Sequence, residues 1–134
     1  MSTTGGCLCG AVRYALARAP TDVWFCHCGQ CRKAQGSAFG ANVPVASAAF
    51  RLTSGDAALR EFRASEGKRR VFCGTCGSPI FSQRDATPEI LRLRVGTLDD
   101  DRDLAVGCHI QAASRASWFV IEDELPTWPE AGPP

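Results

Sequence analysis

The chain has no excess of either charge: 15 Lys and Arg stand against 14 Asp and Glu among 134 residues, a net charge of +1. No overall field draws in a phosphate backbone, so nucleic acid is not an expected partner. No apolar run approaches the roughly 18 residues a membrane helix needs, so no membrane partner is expected. The opening MSTTGGCLCG has neither the basic start nor the apolar middle of a secretory signal, and the expected setting is the cytoplasm. Internal repeats and dividing linkers are missing too. With 45% apolar residues the chain has enough to bury one ordinary core. The expected organisation is a single domain over residues 1–128 and a flexible, proline-rich tail over 129–134.

Thiols, by contrast, are abundant. Eight cysteines occur, and seven fall in tight groups: CLC (Cys7, Cys9), CHCGQC (Cys26, Cys28, Cys31) and CGTC (Cys73, Cys76), with Cys108 alone. In a reducing compartment a disulfide framework is out of place, which leaves metal or redox chemistry.

Around these groups the sequence reads as mainly β. Short stretches rich in β-branched and aromatic residues, AVRYALA, DVWFC, SAFGANVPV, AFRLT, ALREF, RRVFC, PIFSQ, EILRLRVGTL, AVGCHI and SWFVI, each predict a strand. Gly, Pro, Asp or Ser punctuates most of the gaps. The helical candidates are GQCRKAQG and one turn at SRAS, both too short to stand alone.

Seven clustered thiols divide as four and three. Cys26, Cys28 and Cys31 are close enough for one segment to wrap one ion, which leaves Cys7, Cys9, Cys73 and Cys76 for another. A four-thiolate zinc tying segments 63 residues apart would staple the fold, because structural zinc in small peptides binds with about 10 to 16 kcal/mol. Two Zn2+ per chain are expected. The three-thiol site carries one net negative charge and suits an incoming thiol, which loses its proton on coordination and becomes nucleophilic near neutral pH. Arg32 and Lys33 are candidates to meet a carboxylate on that thiol, or are simply solvated cations.

Other divisions stay open. Cys108 would close the second site if it supplied a fourth ligand, giving a non-catalytic two-zinc module that binds a protein or a small thiol. Thioredoxin-like chemistry at CGTC would need a helix after Cys76, where the sequence reads as turn and strand. An iron–sulfur cluster also takes four thiolates, but neither run matches ferredoxin spacing.

GGCLCGAVRY (5–14), CHCGQCRKAQGSAF (26–39), FCGTCGSPIF (72–81), VGTLDD (95–100) and HIQAASRASWF (109–119) together resemble the glutathione-dependent formaldehyde-activating enzyme family, which includes the centromere protein V group. The resemblance implies a β-tent of small antiparallel sheets. It implies Cys7, Cys9, Cys73 and Cys76 as structural zinc ligands and Cys26, Cys28 and Cys31 as ligands of a catalytic zinc. The implied activity joins glutathione to formaldehyde, a carbon–sulfur lyase reaction in reverse. Small-molecule thiol and aldehyde are then the partners.

His109 opens the last motif and is a candidate proton donor to a developing alkoxide, or a satisfied core histidine. His27 lies between two ligands, so in extended chain its side chain points away from theirs; it is a candidate for proton handling at the site or a polar surface histidine. GTLDD predicts a turn with Asp99 and Asp100 exposed; GKRR suggests either an anion-binding patch or, as the expected reading, a loop of solvated cations. Trp118 and Trp128 are expected to pack and close the sheet. Phe39 and Phe81 belong either to the core or to the wall of the site.

Overall fold

Alternation along the strands decides the architecture. The computed structural model describes residues 3–133. Its elements are β1 (Thr3–Gly6), β2 (Arg13–Leu16), β3 (Asp22–Cys26), α1 (Gly29–Gln35), β4 (Gly40–Ala46), β5 (Phe50–Ser54), β6 (Leu59–Ser65), β7 (Lys68–Cys73), β8 (Pro79–Arg84), β9 (Ile90–Arg94) and β10 (Ala105–Ile110). The small sheet has the order β1-β2-β5, and the large one β10-β3-β4-β9-β8-β7-β6. In β4 Val43 and Val45 go to the core, and in β9 Leu91 and Leu93 do. They meet Val12, Tyr14 and Leu16 from the small-sheet side, with Val71, Ile80 and Phe81 closing the layer.

The period of two sends the intervening residues to the far face of the large sheet. Register carries that face from strand to strand: Trp24 opposes Asn42, Asn42 opposes Arg94, Arg92 opposes Ser82, Ser82 opposes Arg70, and Arg84 opposes Lys68. One face is thus apolar and the other carries five cations.

The helix is short because its boundaries are set locally. Cys28 caps its start, its Sγ accepting from the Cys31 N–H at 3.3 Å, and Gly36 ends it at φ +63°, the left-handed conformation a C-cap glycine adopts.

Four details depart from the sequence reading. TTGG forms β1, although it has little strand propensity; it is held by pairing with β2. β10 pairs with β3 in parallel, unlike the other strand pairs among the described residues, so the sheets are not wholly antiparallel. The expected strand EILRLRVGTL stops at Arg94 and becomes a 3-10 turn, Val95–Thr97, fastened by Thr97 Oγ1 donating to Arg94 O at 2.7 Å. SWFVI is turn and coil, and the turn near SRAS falls earlier, at Ala112–Ser114.

The reason SWFVI makes no strand is that its edge is taken. Pro126–Glu130 runs beside β10, with His109 N–H donating to Pro126 O and Trp128 N–H to His109 O, each at 2.9 Å, and Gln111 N–H to Glu130 O at 2.7 Å. Phe119 of that segment turns in, against Phe39. Trp118, expected to pack, is 70% exposed, and Trp128 is 37% exposed.

Candidate metal centres and cavity

The first thiol group sits where the two sheets meet. Cys7 and Cys9 lie in the turn after β1, where Gly10 N–H donates to Cys7 O, and Cys73 and Cys76 span the β7–β8 turn, where Gly77 N–H donates to Cys73 O. The four Sγ atoms lie within 4.8 Å of one another, with Cys7 to Cys9 at 3.6 Å and Cys9 to Cys73 at 3.9 Å. Tetrahedral zinc with bonds of about 2.3 Å needs sulfurs about 3.8 Å apart, so the set fits. The surroundings suit thiolates: Val12 N–H donates to Cys7 Sγ at 3.2 Å, and Ser78 Oγ is 3.2 Å from Cys76 Sγ. The Ser78 hydroxyl and backbone hold the Cys76 thiol at about 5, below the usual thiol range. Leu8 N–H also donates to Ser78 Oγ at 2.9 Å, tying the two loops directly.

The second group is Cys26 at the end of β3, Cys28 at the helix cap and Cys31 in the first helical turn, their sulfurs again within 4.8 Å of one another. Hydrogen bonds from the Cys26 and Cys28 thiols, with the Arg94 and Arg70 cations beside them, pull Cys31 far below an ordinary thiol. Bonds to Cys28 and Cys31, then burial, push Cys26 up. Arg70 Nη2 stands 3.9 Å from Cys31 Sγ. Among the described residues no carboxylate or imidazole joins the three sulfurs, a soft donor set that suits zinc.

Cys108 is not in this group. It is buried on β10, opposite Trp24, and packs beside Cys26, Cys31 and Ile110, with burial and then Asp22 raising its thiol. The three sulfurs instead open on a cavity of about 90 Å³, lined also by Asn42, Lys68, Ser82, Arg84 and Arg92. Arg32 and Lys33 do not line it; Lys33 is exposed and Arg32 half-buried on the helix.

His109 is placed behind the ligand loop. It opposes Phe25, whereas Ile110 opposes Cys26 and lines the cavity, so alternation sends His109 to the other side. Its Nδ1 is 2.8 Å from His27 Nε2 and its Nε2 is 2.8 Å from Asp123 Oδ2. Both rings are buried, and His27 packs edge-on against Phe39. His27 therefore points away from the flanking ligands, into a buried chain. Phe39 belongs to this aromatic packing and Phe81 to the core.

The cations of GKRR are not loop residues at all: Lys68, Arg69 and Arg70 lie in β7, and Lys68 and Arg70 face the thiols. For Arg92 and Arg94 the signal was available in LRLR, whose leucines, once committed to the core, force the arginines onto the opposite face. Asp99 and Asp100 are exposed, as the turn reading expected, and pair with Arg13 and Arg102.

The geometry agrees with comparison to known proteins. A crystal structure of a Rhodobacter sphaeroides protein superposes with a TM-score of 0.62 at 27% identity, covering 75% of this chain and 93% of that one. The sequence profile described as glutathione-dependent formaldehyde-activating enzyme matches residues 2–114, a span that contains both thiol groups, Cys108 and His109. The chain belongs to the glutathione-dependent formaldehyde-activating enzyme family.

Proposed function

We propose that this protein is a zinc-dependent enzyme of carbon–sulfur chemistry, joining a thiol such as glutathione reversibly to formaldehyde or another small aldehyde in the cytoplasm. The observation that carries this reading is the contrast between the two thiol groups. Four sulfurs converge between loops and suit a structural ion, while three line a polar, cationic cavity. Zinc held by Cys26, Cys28 and Cys31 supplies a positive charge that makes a neighbouring thiol acidic.

The chain's own groups do the rest. In the addition, sulfur bonds to the carbonyl carbon, the carbon–oxygen π pair moves to oxygen, and the proton leaving sulfur ends on that oxygen. Lys68, Arg84 and Arg92 surround the reactants with positive charge, and Asn42 and Ser82 offer hydrogen bonds. Arg70 and Arg94, buried beside Cys31, offset the negative charge of the sulfurs.

The test is the rate of hydroxymethyl exchange between formaldehyde and glutathione, measured against buffer because the two reagents also combine unaided. Wild type should exceed buffer, and Cys31→Ser should fall to the buffer rate while remaining folded with one zinc per chain. Equal rates in all three would reject the activity and favour a non-catalytic two-zinc module.

A further inference from the structure

The cationic face is larger than the thiol group requires. Three thiolates on one divalent ion sum to a single negative charge, whereas Lys68, Arg70, Arg84, Arg92 and Arg94 share that side of the sheet. Among the described residues none of the five forms an ion pair with a carboxylate. Lys68 stands directly opposite Arg84, an arrangement that destabilises a strand pair unless something negative lies between. Burial and then Arg70 hold Lys68 below its ordinary range; burial and then Arg84 do the same to Arg92. Arg70 is 9% exposed with Nη1 unpartnered, and Arg94 is 4% exposed with Nε unpartnered. This set of cations is only partly offset by the sulfurs, and three of its members line the cavity that the sulfurs open on.

We propose that Lys68, Arg84 and Arg92 form a carboxylate-binding subsite in the wall of this cavity, selecting a thiol that carries its own negative charge. The proposal rests on the thiol reading above. Arg84 and Arg92 are diagonal neighbours on adjacent strands, about 7–8 Å apart at Cα, a span that suits two carboxylates on a carbon spacer better than one compact phosphate.

Calorimetric titration of the zinc-loaded protein tests it with four small probes: mercaptosuccinate, succinate, 2-mercaptoethanol and inorganic phosphate. Mercaptosuccinate should bind at least about tenfold more tightly than 2-mercaptoethanol. Arg92→Gln and Lys68→Gln should each weaken mercaptosuccinate binding several-fold more than 2-mercaptoethanol binding, and so remove most of that preference. Arg102→Gln, at an exposed ion pair, should leave both unchanged. Zinc content and circular dichroism establish folding, and Arg84→Gln substitutes for any variant that fails; relief of repulsion should keep its unliganded melting temperature at or above wild type.

Equal affinity for mercaptosuccinate and 2-mercaptoethanol overturns the subsite and leaves thiol binding standing. If succinate binds in an Arg92-dependent way and mercaptosuccinate binds no better, the thiol reading fails and the subsite stands. Phosphate binding more tightly than succinate overturns the carboxylate assignment, and no binding of any probe overturns both readings.

Discussion

Gly55 shows how tightly single positions are constrained where the small sheet closes. Its φ is +89°, and a Cβ built there would come within 2.7 Å of Val12 Cα and 2.8 Å of the Ala11 carbonyl carbon. Both contacts are backbone, so neither yields by a rotamer change. Gly67 has φ +76° with open space around its would-be Cβ. Gly67→Ala should therefore cost about 1–2 kcal/mol, the left-handed penalty alone. Gly55→Ala adds a backbone clash and should cost about 3–5 kcal/mol. Urea midpoints of the two variants check this; equal losses would mean that the Ala11–Val12 backbone yields freely. At this scale the grouping of Cys26, Cys28 and Cys31 was legible in the sequence, because local chain geometry brings the three sulfurs together. Arg92 was legible only as far as its side of the sheet, from LRLR; Lys68 and Arg84 were not, because their place beside the thiols is set only by pairing with neighbouring strands.

Between elements, the four-thiol group joins the turn after β1 to the end of β7, segments that otherwise meet through apolar packing and the Leu8–Ser78 hydrogen bond. Cys73 is fully buried at that junction. Cys73→Ser should remove one zinc per chain and leave little folded protein, since structural zinc contributes on the order of 10 kcal/mol, as much as the whole stability of many domains. Metal analysis with thermal unfolding checks this, and a variant that keeps two zincs and an unchanged melting curve would sink the staple. Strand composition made most elements readable before their pairing was known. The exceptions are instructive: TTGG becomes β1 only because β2 offers an edge, and SWFVI fails to become a strand because Pro126–Glu130 already occupies the edge of β10. Both outcomes depend on tertiary competition for an edge, which local propensity does not encode.

Across the whole molecule, the two thiol groups hold unequal shares of the fold. The small sheet has three strands and buries Val12, Tyr14 and Leu16 against the large one, so its stability depends on that contact and, on the zinc reading proposed above, on an ion at the four-thiol junction. The three-thiol group lies within one short segment, from Cys26 at the end of β3 to Cys31 in the first turn of a helix capped by Cys28 and ended by Gly36. Loss of a metal there would expose a cavity wall but separate no sheets. A graded chelator titration should thus remove zinc in two steps. The first equivalent should leave with the near-ultraviolet circular dichroism intact and with hydroxymethyl exchange lost. The second should leave together with tertiary structure, in one cooperative transition, because the loop that binds it is also the loop that closes the sheets. Loss of the near-ultraviolet signal with the first equivalent would show that the Cys26–Cys31 ion also holds the fold, and retention of that signal after the second would show that apolar contact between the sheets suffices without the metal.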